Sequence, residues 1–123
     1  MKVAHISEVP KEPAGTTNFI GEATMQEVAP GSSDFAARVI NFGRGVRNHL
    51  HVHEGDQLLV VTSGRGQVVT EAGERVIVGP GDVVLAPAGE KHWHGALEDS
   101  EFSHITITPA GKGAAWFPEA YRR

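Results

Sequence analysis

Six of the seven histidines fall between residues 49 and 104, and their spacing is the part of this sequence most able to do chemistry. His51 and His53 are two apart, so on an extended strand both imidazoles project to one face. Gln57 follows with the same odd parity, although Gly55 between them can break the count, and His92 comes much later, just past a Pro-Ala-Gly turn. A sheet that closes on itself can bring such distant residues together. Three imidazoles and one oxygen donor are an ordinary ligand set for a first-row metal ion. An H-x-H pair alone is often surface decoration, so the residues around it must carry the reading. The chain has no Cys, which excludes disulfides, thiolate chemistry and cysteine-based zinc sites. Any metal here is held by imidazole, carboxamide or carboxylate.

A second group of histidines lies nearby in sequence. His94 shares the strand face of His92, with Trp93 turned the other way, and His104 shares parity with Thr106 and Thr108 on the following segment. An imidazole near its ordinary pKa of about 6.5 suits acid–base work at neutral pH. His94 and His104, with Lys91 or Thr108, are therefore candidates for proton transfer beside a metal. The two rings could equally be interior side chains packed or hydrogen-bonded in a barrel. His49 is placed at a barrel rim, and Glu54 and Asp56 are solvated loop charges. Trp93, Trp116 and the Phe residues are assigned to packing.

The elements that must position these groups are short strands. Candidates are residues 19–28, 35–42, 57–62, 67–71, 74–78, 82–86, 92–97 and 102–108, separated by Gly- and Pro-rich turns such as Ser63-Gly64-Arg65-Gly66 and Gly79-Pro80-Gly81. In residues 35–42, Phe35, Ala37, Val39 and Asn41 share one side. Short strands at close intervals are the signature of an antiparallel sandwich or barrel, so the fold class is all-β. The only helix candidate of note is Gly113 to Arg123, split by Pro118. The chain reads as a single domain: an N-terminal arm (1–33), a barrel core (34–109) and a C-terminal tail (110–123). Exposed sheet edges make strand exchange by the arm with a second subunit plausible, and a homodimer is the default assembly.

The framework around the histidines has a name. GVRNHLHVHEGDQLLVVTSG (45–64) and GDVVLAPAGEKH (81–92) meet every spacing of the two-part motif G-(x)5-H-x-H-(x)3-[E or Q]-(x)6-G and G-(x)5-P-x-G-(x)2-H. The chain thereby resembles the cupins, whose fold is a jelly-roll-like antiparallel β-barrel. The resemblance implies a divalent metal held by His51, His53, Gln57 and His92. It departs from the usual pattern in having Gln57 where Glu is common and Ala96 where Asn often closes the second motif. Three neutral imidazoles and a neutral amide would leave the full double charge on the ion. Such a site favours anionic partners (hydroxide, alkoxide, cyanide or carboxylate) and Lewis-acid work.

The string EKHWHGA (90–96), the His-His-Gln-His set, the segment His104-Ile105-Thr106 and the terminal Tyr-Arg-Arg resemble small bacterial cupins that include manganese-dependent hydroxynitrile lyases. The resemblance implies Mn²⁺ as the ion, with Fe²⁺, Zn²⁺ or Ni²⁺ as alternatives. It makes His94 the base and His104 a substrate partner, while Thr108 stands where Gln is expected. The leading expectation is a metal-dependent lyase acting on a small hydroxy or carbonyl compound. An Fe²⁺ dioxygenase is the alternative, and a non-catalytic cupin that binds a small ligand or metal is the third reading.

Composition sets the outer bounds. With 123 residues and 40% hydrophobic content the chain can build one core. A net charge of −4 and no basic stripe argue against nucleic acid as a partner. No apolar run approaches a membrane span and residues 1–10 lack the apolar segment of a secretory signal, so the expected compartment is the cytoplasm and the expected partner a small-molecule substrate.

Overall fold

Glycine-rich turns and alternating strands fold here into two antiparallel sheets laid face to face, in a computed structural model that describes residues 1–120. One turn of 3-10 helix (Ile6–Glu8) precedes β1 (Glu12–Pro13), β2 (Phe19–Ile20), β3 (Ala23–Glu27) and β4 (Phe35–Phe42). Then come β5 (Arg47–Asn48), β6 (Leu50–His53), β7 (Gln57–Gly64), β8 (Gly66–Thr70), β9 (Arg75–Val78) and β10 (Val83–Ala86). The chain continues through β11 (His92–Ala96), β12 (Phe102–Pro109) and β13 (Ala114–Phe117). The first sheet has the order β1-β3-β4-β12-β7-β10. The second has the order β13-β6-β11-β5-β2, with β8 also pairing β11 and β9 lying beyond β8.

Period-two alternation decides what lies between the sheets. Ile40 and Phe42 of β4 oppose His104 and Phe102 of β12, and Val61 of β7 also opposes His104. These apolar residues are buried and join Phe19, Ala23, Val78 and Ala96 in one cluster, with Phe42 stacked on Phe102 at 5.6 Å. His94 and His104 pack against this cluster, their rings 6.0 and 5.4 Å from that of Phe42.

The opposite face of the first sheet carries Ala37 and Val39 from β4, as the alternation of residues 35–42 implied, together with Leu58, Val60, Ile105, Ile107, Val83 and Leu85. Part of this face is covered by the N-terminal segment. Gln26 Nε2 donates to the carbonyls of Ile6 (2.9 Å) and Val9 (2.8 Å), and Asn41 Nδ2 donates to Gln26 Oε1 (3.1 Å). The arm thus lies on its own chain's sheet. Val83 and Leu85, on edge strand β10, remain 59% and 60% exposed.

Two expectations about elements are corrected. The early strand anticipated over 19–28 is broken into β2 and β3 by Gly21, whose φ of 101° turns the chain and whose missing Cβ leaves room for the Val46 side chain. The helix anticipated over 113–123 is absent from the described part of that segment. Ala114–Phe117 instead pairs with β6, with Trp116 opposite His51, and residues 121–123 lie outside the described residues. Pro118 leaves too few residues on either side to nucleate a helix, whereas the edge of β6 offers unpaired backbone groups to an extended segment. Among the described residues, no helix is long and apolar enough to cross a membrane.

Candidate metal centre

Strands β6, β7 and β11 deliver the four residues of the expected ligand set. His51 and His53 project from β6, Gln57 begins β7, and His92 begins β11 directly opposite His51. The ring centroids of His51 and His92 are 4.5 Å apart, those of His51 and His53 5.1 Å, and those of His53 and His92 6.2 Å. Gln57 Oε1 lies 3.0 Å from His92 Nε2. The structure therefore brings all four together.

Proton bookkeeping shows which atoms are left for a cation. His51 Nδ1 is 2.8 Å from the His49 carbonyl, and His92 Nδ1 is 3.0 Å from the Glu90 carbonyl. A carbonyl only accepts, so each ring carries its proton on Nδ1 and presents an Nε2 lone pair inward. Burial holds both rings below the ordinary histidine pKa, His51 down to about 3, so the neutral tautomer is the relevant one. Gln57 Nε2 donates to Thr106 Oγ1 at 2.7 Å, which turns the amide oxygen toward His92. Two acceptors then face each other at 3.0 Å, a repulsive arrangement unless something positive lies between them. Ligand bonds of about 2.1 Å meeting near a right angle give this same separation. His53 Nε2 is buried with no hydrogen-bond partner. The His51 and His92 lone pairs and the facing amide oxygen fit a divalent cation, and the unpartnered His53 Nε2 is a further donor nearby.

His94 complicates the choice of third imidazole. Ligand atoms of His51, His92 and His94 all lie within 4.8 Å of one another, so this three-histidine group could also hold a divalent metal. His94, however, is already partnered. Its Nδ1 is 3.0 Å from His104 Nε2, Asn48 Nδ2 donates toward its Nε2 at 3.2 Å, and its backbone N–H donates to Asn48 Oδ1 at 2.9 Å. His53 offers an unpartnered nitrogen and His94 does not.

His94 and His104 are buried, and burial drives both pKa values down, His104 to about 3, with the charge of His104 adding to the effect on His94. Their unfolded pKa is near 6.5, so below that pH the unfolded chain binds protons that the folded chain refuses, for His104 down to about 3. The metal-free protein is expected to lose stability as pH falls through that window, at up to about 1.4 kcal/mol per pH unit for each such ring. Urea midpoints at pH 7.5 and 5.0 would measure it; equal midpoints would contradict the burial of neutral rings.

A cavity of about 170 Å³ opens beside these groups. His51, His53, Gln57 and His94 line its inner end, with Thr106 and Thr108 on β12 and Phe19, Met25 and Ile40 supplying apolar wall. Trp116 stacks on His51 at 4.3 Å and also lines it. Trp116, assigned to packing from sequence, is thus part of the site. Asn48 and Arg38, which the sequence did not single out, line the cavity too.

Lys91 is not brought to the site. It lies just before β11, with its ammonium 3.8 Å from Glu71 Oε2 and 4.6 Å over the Phe117 ring, outside the cavity lining. Trp93 carries Arg47 over its ring at 4.0 Å. His49 contributes its carbonyl to His51.

A family model for the cupin domain matches residues 38–108, which include both histidine-bearing motifs. The chain is a cupin. It is 38% identical over 101 residues to an (R)-mandelonitrile lyase of Granulicella tundricola, covering 77% of each protein. It is also 29% identical over 91 residues to the pectin degradation protein KdgF of Dickeya dadantii, covering 73% of this cupin and 82% of that protein. Among solved structures, a cupin-like protein of Thermotoga maritima superposes with a TM-score of 0.82 at 30% identity, covering 90% of this chain and 88% of that one. A polyketide cyclase, RemF of Streptomyces resistomycificus, superposes with a TM-score of 0.84 at 21% identity, covering 94% and 84%, which speaks for the shared fold alone.

The Thr106 hydroxyl gives this cupin a test of the Gln57 orientation. Thr106→Val removes the acceptor that points the amide oxygen inward, and metal affinity is expected to fall about 10- to 100-fold. Calorimetric titration of the stripped protein with Mn²⁺ would read the change; unchanged affinity would remove Thr106 from the account.

Proposed function

We propose that this cupin is a metal-dependent lyase that cleaves or forms a C–C bond at a small hydroxy or carbonyl compound, with a cyanohydrin as the model substrate. The observation that carries the reading is the buried imidazole pair His94–His104, of which His94 lines the same cavity as His51, His53 and Gln57 while His104 lies behind it, outside the lining. The kinship with a mandelonitrile lyase supports it.

His51, His53, Gln57 and His92 would hold the ion, with Mn²⁺ favoured over Fe²⁺, Zn²⁺ or Ni²⁺. When bound, the ion supplies Lewis-acid stabilisation of negative charge on oxygen or cyanide. His94 acts as the base. Burial keeps its ring neutral, and its Nε2 lone pair takes the proton of the substrate hydroxyl once the substrate displaces the Asn48 amide that donates to it at 3.2 Å. As the O–H electrons become the carbonyl, the C–C bond to the nitrile breaks and its electron pair leaves with cyanide. Cyanide then takes the proton from His94, which restores the neutral ring and releases HCN. His104 stands behind His94, 3.0 Å from its Nδ1, where it fixes the tautomer and shares the transient charge. Phe19, Met25, Ile40 and Trp116 exclude water from the reacting end, and Thr106 and Thr108 offer hydroxyls to the substrate. A cavity of about 150 Å³ holds a benzene-sized molecule, so the space here suits a substrate no larger than a ring with a small polar head.

The assembly is a homodimer in this reading. Val83 and Leu85 form an exposed apolar edge continuous with Leu58, Val60, Ile105 and Ile107, and a second copy would cover it. Sedimentation equilibrium giving a monomer at micromolar concentration would contradict this.

The activity is tested by stripping the protein, restoring Mn²⁺, Fe²⁺, Zn²⁺ or Ni²⁺ separately, and following cyanide release from mandelonitrile alongside oxygen uptake with diketones and catechols. Metal-dependent cyanide release without oxygen uptake is expected. Oxygen uptake in place of cyanide release would turn the assignment to a dioxygenase.

A further inference from the structure

Arg38 is the one Asp, Glu, Lys or Arg side chain among the residues lining the cavity. It sits in the middle of β4 at a parity that faces inward with Ile40 and Phe42, directly opposite Thr106 of β12. Thr106 in turn holds the Gln57 amide. Cavity wall, threonine and candidate ligand therefore follow one another from Arg38 inward.

The ion pair with Glu27 does not account for Arg38's place on the cavity wall. Glu27 lies outside the cavity lining and accepts only from Nε, at 2.7 Å, with both side chains more than two-fifths exposed, where an ion pair contributes little. That single bond instead fixes the plane of the guanidinium. Among the described residues the terminal Nη groups have no hydrogen-bond partner, so the edge of the fork that matches a carboxylate is free.

The geometry points to Arg38 as a specificity residue that binds the carboxylate of a small hydroxy or oxo acid at the cavity mouth. This rests on the proposed reading of the site and names its substrate class. The neutral donor set leaves the inner end positive once loaded, so both ends of the cavity favour an anion, and about 170 Å³ limits that anion to a few carbons or one ring. With the carboxylate on the Nη edge, the hydroxyl or oxo group is the part of the molecule that extends toward His94.

The test uses the Mn²⁺-loaded protein and two isosteric probes, mandelate and its neutral amide mandelamide, followed by calorimetry. Wild type is expected to bind mandelate at least tenfold more tightly than mandelamide. Arg38→Gln is expected to weaken mandelate about 10- to 100-fold while leaving mandelamide and metal content unchanged, and Arg38→Lys to fall between. Wild type that binds the two probes equally, or Arg38→Gln that binds mandelate as wild type does, would overturn the assignment. The first comparison needs no variant, so a poorly folding Arg38→Gln leaves the test intact. Binding is read without turnover. Arg38-dependent mandelate binding with no cyanide release would sink the lyase reading alone, and the reverse would sink the carboxylate assignment alone.

Discussion

His92→Ala is expected to abolish stoichiometric binding of a divalent ion, with affinity falling by more than about 100-fold. The ring sits at the point where the site is assembled: opposite His51 across β6 and β11, and 3.0 Å from the amide oxygen of Gln57. Its loss removes one inward lone pair and the partner that makes the Gln57 oxygen useful. Even residues that only orient ligands change metal affinity 10- to 100-fold, so removing a ligand exceeds that range. Stability should follow. An ion present at 100 times its Kd stabilises the folded state by about 2.7 kcal/mol, and the variant should show no rise in Tm when Mn²⁺ is added. Elemental analysis and thermal melts would check both. A variant that still carries one equivalent would place the ion elsewhere.

His94→Ala is expected to behave in the opposite way. Metal content should be retained, because both ring nitrogens are already met by Asn48 and His104. Cyanide release from mandelonitrile should fall about 10²- to 10⁴-fold, the range for losing a positioned acid or base. The pair of results matters more than either one. His94 also falls in a compact group with His51 and His92, so a loss of metal in His94→Ala together with its retention in His53→Ala would exchange the roles of these two rings. Undiminished cyanide release in a folded, metal-loaded His94→Ala would remove the proposed base.

Much of this was legible in the sequence, for a physical reason. The cupin motifs combine turn glycines with histidines at spacings that a period-two strand can place on one face, so residues 45–64 and 81–92 carried both the fold and the cluster. Lys91 was not placed by spacing: it precedes β11, and its position is set by Glu71 and Phe117. Other features depend on cross-strand register, which spacing along one strand does not contain. Asn48 meets His94 because β5 and β11 pair, and Trp116 meets His51 because an unremarkable tail finds the free edge of β6. Arg38 reads locally as a charge in an apolar strand and acquires meaning only opposite Thr106. The choice between His53 and His94 was also beyond parity, since His94 lies on the same strand face as His92. It turns on which nitrogens are already hydrogen-bonded.

The most direct test is an anomalous difference map from crystals of the Mn²⁺-loaded protein. The account predicts one peak within about 2.0–2.4 Å of Nε2 of His51, His53 and His92 and of Oε1 of Gln57, with His94 still paired to His104. A peak bonded to His94 with His53 turned away, or no peak where Gln57 and His92 face each other, would contradict it.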